Sequence, residues 1–458
     1  MNSILVSVLW GILMMYAGFI AKNKKAITAL AVVGALAVLV FNVLEYMGLS
    51  LLTFDTNGML FYNPFSYIFL AVMQAALLIY FLLSGSELEE LSASPSDHYA
   101  LIFFVMSGIS IIAGIKSLLM LFLGIEIISI PLYVLAGSDK SNLKSNEAAL
   151  KYFLMGAFST GLMLMGIAFL YGDSGTFYLE GINMGATEMS PLKAIGGVLI
   201  LVSMAFKVSA VPFHFWTPDV YDGSPTVFTS FMATIVKSAA FFAFLKLFDG
   251  AFGKIQGQWQ LLLSVIAAFT LIVGNITAVF QQSAKRMLSY SSIAQAGFMV
   301  MGIVAMNLMS KQGLVLYFAA YSIASLALFA VLAKFKDHSV EALNGFAKTH
   351  PLVAGVMLIS LLSLAGIPLT AGFFAKYFIL VSVLKNGTMI WLPVLAIICA
   401  AISVYYYFRV IQAMYFKEAG EFSIPAPEFN GRFKAMMVVC ALLILVLGIH
   451  PDWLMDLL

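Results

Sequence analysis

The chain has 458 residues, of which 62% are hydrophobic and only 10% charged, with a net charge of +2 and a mean hydropathy of +1.00. A soluble domain carries about 25% charged residues, so these figures exclude a soluble enzyme and leave no basic surface for nucleic acid. They describe a chain that crosses a membrane many times.

Apolar runs of about 20 residues, the length a helix needs to span the hydrocarbon core, recur about fourteen times. They fall near 2–20, 26–47, 64–83, 99–115, 117–137, 147–171, 192–218, 226–248, 259–280, 286–307, 312–335, 351–383, 389–416 and 433–451. No basic region precedes the first run, and Lys22, Lys24 and Lys25 follow it, so it reads as a retained helix rather than a cleaved signal. The connections are short and polar, at 84–97, 138–146, 172–190, 336–349 and 417–431, and none could form a separate domain. Cys399 and Cys440 lie inside apolar runs and read as packing residues. No CxxC or Cys/His cluster suggests a metal or redox centre.

Cytoplasmic loops carry an excess of Lys and Arg. With the N-terminus outside, the inner loops hold Lys22, Lys24, Lys25, Lys140, Lys144, Lys285, Arg286, Lys334, Lys336, Lys348, Lys417, Arg432 and Lys434. The outer loops hold only Lys116, Lys193, Lys254, Lys311 and Lys385. Both termini are therefore expected outside the cytoplasm.

Two runs are interrupted. The seventh contains Pro212 in KVSAVPFHFWTPDVY, and the twelfth contains Gly366, Pro368 and Gly372 in LAGIPLTAGFFAKYF. Proline removes a helical hydrogen bond, and a broken backbone survives at membrane depth only where protein or water satisfies it. Paired breaks in two halves of a transporter point to an internal repeat with the transport path at the breaks.

Glu126, Lys207, Lys237 and Lys376 fall near the middle of apolar runs, where a charge costs roughly 2.5–3.5 kcal/mol. A lysine at that depth loses solvation, which favours the neutral amine, and a nearby carboxylate restores the ammonium form. Lys207 with Glu126 could therefore be a switchable proton site. A static ion pair holding two helices fits the same residues. Lys237, in FTSFMATIVKSAAFFAF, is too deep to snorkel easily, and Lys376 lies two turns beyond the second break. Three lysines have too few carboxylates for simple pairing, so a water-joined lysine relay explains them better. His214, about two turns after Lys207, could pass a proton to Lys237 or be a structural histidine near the break. Glu147 and Lys151 are spaced for an intrahelical pair. Arg409 could gate an exit or snorkel. Asp219 and Asp222 read as turn residues with a capping role.

The segments GIEIISIPLYVLAG, EAALKYFLMGAFSTG, KVSAVPFHFWTPDVYDGSPT, AKRMLSYSSIAQAGFM and GIPLTAGFFAKYF resemble the antiporter-like subunits of respiratory complex I. The length and Lys376 are most similar to the N type. The resemblance implies an all-α polytopic fold of about 14 transmembrane helices with helices 7 and 12 broken. It also implies two inverted five-helix repeats, helices 4–8 and 9–13. The corresponding divisions are 1–98 for three N-terminal helices, 99–250 and 251–418 for the repeats, and 419–458 for the last helix. The family's key glutamate maps to Glu126, its channel lysines to Lys207 and Lys237, and its terminal lysine to Lys376, with His214 and Lys151 as further relay candidates. Gln295 stands where the family's tenth-helix motif often has histidine, which puts a histidine relay there in doubt, and Asp222 where Glu is common.

The resemblance implies a proton-translocating subunit of NADH-quinone oxidoreductase in a bacterial inner membrane. It would hold no cofactor of its own, with NADH, FMN, iron–sulfur clusters and quinone in partner subunits. Its partners would be membrane subunits of the M, L, K and J types and, through them, the peripheral arm. A subunit of a cation/proton antiporter or membrane-bound hydrogenase, or a structural scaffold whose charges only lock helices, are the competing readings.

Overall fold

The computed structural model describes residues 1–21, 23–49, 55–91, 94–182, 190–253, 256–387, 389–418 and 427–458, less the side chains of residues 256 and 258. Lys22 and Lys254, both counted in the charge bias, lie outside the described residues. Three helices open the chain: α1 (Asn2–Ile20), α2 (Lys24–Tyr46) and α3 (Pro64–Leu91). Then come α4 (Pro95–Ala113), α5 (Leu118–Ala136), α6 (Leu143–Ser174), α7 (Pro191–Lys207) and α8 (Trp216–Gly223). Next, α9 (Thr226–Phe231) runs through a π-helical segment, Met232–Val236, straight into α10 (Lys237–Gly250). The second half holds α11 (Gln256–Val279), α12 (Ala284–Ala305), α13 (Leu308–Leu332), α14 (Phe346–Thr349) and α15 (Pro351–Ala365). It ends with α16 (Ala371–Lys385), α17 (Trp391–Phe416), α18 (Gly431–Ile449) and the short α19 (Asp452–Met455).

Among the described residues, 12 helices are long and apolar enough to cross a membrane, with α9 and α10 counted as one. The seventh and twelfth expected spans are each divided, into α7 with α8 and α15 with α16. The chain between α7 and α8 contains Ser209 at φ 63° and a cis peptide at Val211–Pro212. Gly366 ends α15 at φ 85°, a left-handed conformation that glycine adopts without a Cβ penalty. The breaks fall where the prolines and glycines placed them.

The connection at 84–97 differs from its expected form. Residues 84–91 are not loop but the last turns of α3. Their carboxylates are held: Glu87 pairs with Lys334, and Glu89 accepts a hydrogen bond of 2.6 Å from Thr28. Those contacts let a charged segment stay helical and tie α3 to α2 and α13.

The core runs through α12 and α13, whose apolar windows are 94% and 100% buried, against 22% for α1 and 33% for α18. The outer helices face outward with large apolar side chains; Phe19 is 89% exposed and Phe416 80%. Such faces suit lipid or a neighbouring subunit. Cys399 and Cys440 are buried free thiols, consistent with packing. Without a strong hydrophobic drive between helices in lipid, close approach depends on small residues. Where α6 meets α7, a Cβ on Gly166 would lie 2.8 Å from Gly196 O, and one on Gly196 would lie 3.0 Å from Gly166 O.

Gly196→Leu should therefore push α7 from α6 and cost about 1–3 kcal/mol of overpacking strain. Thermal unfolding in mild detergent should show a lower midpoint; an unchanged midpoint would mean that α7 shifts freely.

Candidate functional site

The first constellation joins α5, α6 and α7. Glu126 and Ser129 lie three residues apart on α5, so they share a face. Lys207 closes α7, and its Nζ donates to Ser129 Oγ at 2.9 Å. Ser129 in turn donates to Ile125 O at 2.8 Å. Glu126 Oε1 accepts from Thr160 Oγ1 on α6, also at 2.8 Å. Among the described residues, no Glu126–Lys207 contact within 4.0 Å is present. Each charge is held by a hydroxyl, which is not the static ion pair. Ser129 and Thr160 were not legible as functional, because serine and threonine on apolar helices usually bond their own preceding turn, and both also do so here.

The second constellation surrounds α12. Lys237 follows the π-helical segment and is 2% exposed. Its Nζ donates to Ser292 Oγ at 2.9 Å and Ser292 O at 3.1 Å, and it lies 5.7 Å from the Tyr221 ring centre. Lys376 is also buried, and donates to Leu364 O at 2.7 Å and Ala365 O at 3.1 Å. Those carbonyls end α15 and have no partner in the next turn of helix. They also carry the negative end of its dipole. The break at Gly366 thus supplies the ammonium's acceptors. The Phe298 ring centre is 4.9 Å from Lys376 Nζ.

Ser292 and Gln295 lie one turn apart on α12, so the partner of Lys237 and a neighbour of Lys376 share a face. A cavity of about 10 Å³, room for roughly one water, is lined by Gln295, Tyr317, Tyr321, Ser363 and Lys376 among others. Tyr321 also lies against Ser292. Polar groups therefore connect the two lysines over a single helical turn.

The other candidates behave differently. His214 is buried in the irregular chain between α7 and α8, its Nδ1 lacks a partner, and no hydrogen bond joins it to Lys207 or Lys237 among the described residues. The direct transfer from His214 to Lys237 is not a contact here; Lys237 turns toward α12 instead. Lys151 pairs with Glu147 at 2.8 Å and with Asp219 at 2.9 Å, and Asp219 also binds Arg286 at 3.1 Å. Asp219 and Asp222, expected in a turn, lie in the short helix α8, where Asp219 is an ion-pair partner. Arg409 donates to Val279 O at 3.1 Å and to Gln281 O, and so caps the end of α11.

Lys285, read from sequence as a loop charge, is 2% exposed and donates to Asp222 O at 2.9 Å and Ser224 O at 2.6 Å. It borders a cavity of about 540 Å³ lined also by Lys144, Asp222, Lys336 and His338. His338 bonds Thr226 at 3.2 Å. Burial first, and then the adjacent Lys285, push the His338 imidazole down to about 4. It is neutral at physiological pH. Among the described residues no group of three or more His, Cys, Asp or Glu could hold a metal ion.

The family described as "NADH:quinone oxidoreductase/Mrp antiporter, TM" matches residues 116–403, a stretch that contains Glu126, Lys207, Lys237 and Lys376. NADH-quinone oxidoreductase subunit N of Cytophaga hutchinsonii is 40% identical over 100% of this chain and 99% of its own length. The chain belongs to the NADH-quinone oxidoreductase subunit N family. The subunit N of Flavobacterium psychrophilum is 38% identical over the full length of both chains. A chain of respiratory complex I from Thermus thermophilus, solved with bound aureothin, superposes with a TM-score of 0.85 at 31% identity, covering 99% of this chain and 98% of that one. A chain of the Mrp complex from Dietzia sp. has a TM-score of 0.88 at 18% identity, covering 99% and 95%, which is a likeness of fold.

Ser129→Ala should let the Lys207 ammonium turn to Glu126 and form the direct ion pair. Turnover of the assembled complex should fall severalfold with little loss of assembly. Unchanged turnover would show that the serine contact has no part in function.

Proposed function

We propose that this chain is a proton-translocating membrane-arm subunit of NADH-quinone oxidoreductase, with Glu126, Lys207, Lys237 and Lys376 as its relay. One observation carries the reading: Lys207, Lys237 and Lys376 are held by hydroxyls and backbone carbonyls, with no carboxylate within 4.0 Å among the described residues. Lys237 and Lys376, held this way, can lose a proton without stranding a buried counter-charge, and Glu126, whose charge acts on Lys207 through space, is itself held by Thr160. In a structural ion pair the same step would leave the carboxylate buried and uncompensated.

In this reading the cavity beside Lys285 and His338 is the intake vestibule, on the cytoplasmic side if both termini are periplasmic. The proton reaches Lys237, crosses α12 by Ser292, Tyr321 and the small cavity, and arrives at Lys376. Glu126 tunes Lys207 by the charge it presents nearby. His214 and Lys151 serve the relay indirectly, His214 by water and Lys151 through its ion pairs with Glu147 and Asp219.

Fourteen crossings follow if each divided helix pair spans the membrane as one unit. The divisions at 1–98, 99–250, 251–418 and 419–458 then separate the N-terminal helices, the two inverted repeats and the last helix. The partners are M-, L-, K- and J-type membrane subunits in a bacterial inner membrane, and through them a peripheral arm. NADH, FMN, iron–sulfur clusters and quinone belong to those partners. Full-length identity with subunit N sequences favours this over an antiporter or hydrogenase subunit, whose fold is shared.

Lys207→Ala and Lys237→Ala should leave the complex assembled but lower quinone reduction and proton pumping by roughly tenfold or more, as loss of a positioned acid–base group does. Inverted membrane vesicles would report both. Normal pumping by an assembled Lys237→Ala complex would remove that residue from the path, and poor assembly with normal specific activity would favour the scaffold.

A further inference from the structure

Two donors meet on one backbone oxygen at the second helix break. Leu364 O accepts from Lys376 Nζ at 2.7 Å and from Gln295 Nε2 at 3.0 Å. One donor is ionisable; the other is not.

Gln295 is held on every side. It is 3% exposed. Its Nε2 also donates to Tyr407 OH at 3.2 Å, and its Oε1 accepts from Tyr317 OH. Tyr407 is fixed in turn by a hydrogen bond with Ser291. These partners set the amide's orientation, because a flipped amide would place Oε1 against Leu364 O, two acceptors face to face. Both amide hydrogens are committed, and glutamine is no base at neutral pH. Gln295 therefore cannot carry the proton itself.

We propose that Gln295 is a positioning residue for proton release from Lys376, sharing the Leu364 carbonyl so that the ammonium is never held by it alone. The inference rests on the reading of Lys376 as a relay group. An acceptor that serves two donors holds each less firmly than it would hold one. Lys376 is thereby left able to pass a proton to a water in the cavity that Gln295, Tyr317, Tyr321, Ser363 and Lys376 line. In that step an Nζ–H bond breaks and an O–H bond forms on the water, which hands a proton onward.

No other charged group is described against Lys376. Its helix packs against α12, α13, α15, α17 and α18. Facing it, α12 presents Gln295 and Phe298, α13 presents Tyr317 and Tyr321, and α15 presents its terminal carbonyls. Tyr407 of α17 is reached through Gln295. The buried face of α18 is apolar apart from Cys440.

The test uses the whole complex in inverted vesicles, with Gln295→Leu, Gln295→Glu, Gln295→His and Lys376→Ala. Assembly is read by NADH oxidation with a soluble electron acceptor, and pumping by vesicle acidification across a range of pH. Gln295→Leu removes the competing donor, so pumping should fall about fivefold at neutral pH and recover as pH rises, because the retained proton then leaves more readily. Gln295→Glu, nearly isosteric, would pair with the ammonium and should lose more. Gln295→His keeps one N–H donor and should retain at least half of pumping. Wild-type pumping and pH profile in Gln295→Leu, with Lys376→Ala inactive, would overturn the inference and leave the relay standing. Failure of Gln295→Leu to assemble, together with normal pumping by Gln295→Glu, would overturn it equally. Normal pumping by Lys376→Ala would overturn the relay reading and this inference together.

Discussion

The structure depends on how a buried ammonium is solvated without a counter-ion. Lys237 and Lys376 are buried and Lys207 partly so, and the protein meets all three with oxygen dipoles rather than with carboxylates. Ser129 takes Lys207, Ser292 takes Lys237, and the open end of α15 takes Lys376. A carboxylate at each site would bind the proton's charge more tightly and would be left uncompensated when the proton moved on. Hydroxyls and carbonyls stabilise the charged state enough to exist and tolerate the neutral one.

The second helix break follows from the same requirement. An intact helix spends one lone pair of each carbonyl on its own hydrogen bonds, whereas a helix end leaves its last carbonyls without intrahelical partners. Ending α15 at a left-handed glycine frees Leu364 O and Ala365 O at membrane depth, where Lys376 covers them. A Cβ at Gly366 would stand 2.9 Å from the Lys376 side chain, so glycine there serves both the turn and the lysine. The first break differs: Lys207 is the last residue of α7 and reaches across to α5.

Much of this is legible in the sequence. Hydropathy locates the spans because lipid imposes a minimum apolar length on every crossing helix, and Pro212, Gly366 and Pro368 locate the breaks because each disrupts the backbone locally. The deep lysines and Glu126 stand out because their cost at that depth is large. What cannot be read are the groups that receive them. Ser129, Thr160 and Ser292 look like any helical hydroxyl, and their partners come from other helices. Lys285 looks like a loop charge since its burial is created by the end of α8, Asp222–Ser224, lying over it. The helical end of α3 reads as loop because its glutamates find Lys334 and Thr28 only in three dimensions.

The most direct test of the account is proton pumping by a complex that carries Lys376→Arg in reconstituted vesicles. Guanidinium keeps the positive charge and can donate to the same carbonyls, but it does not release its proton in a neutral cycle. If the lysine must titrate, the arginine variant assembles and pumps no better than one lacking the side chain. Pumping near the wild-type rate would show that a fixed charge suffices at this position, and the relay would have to end elsewhere.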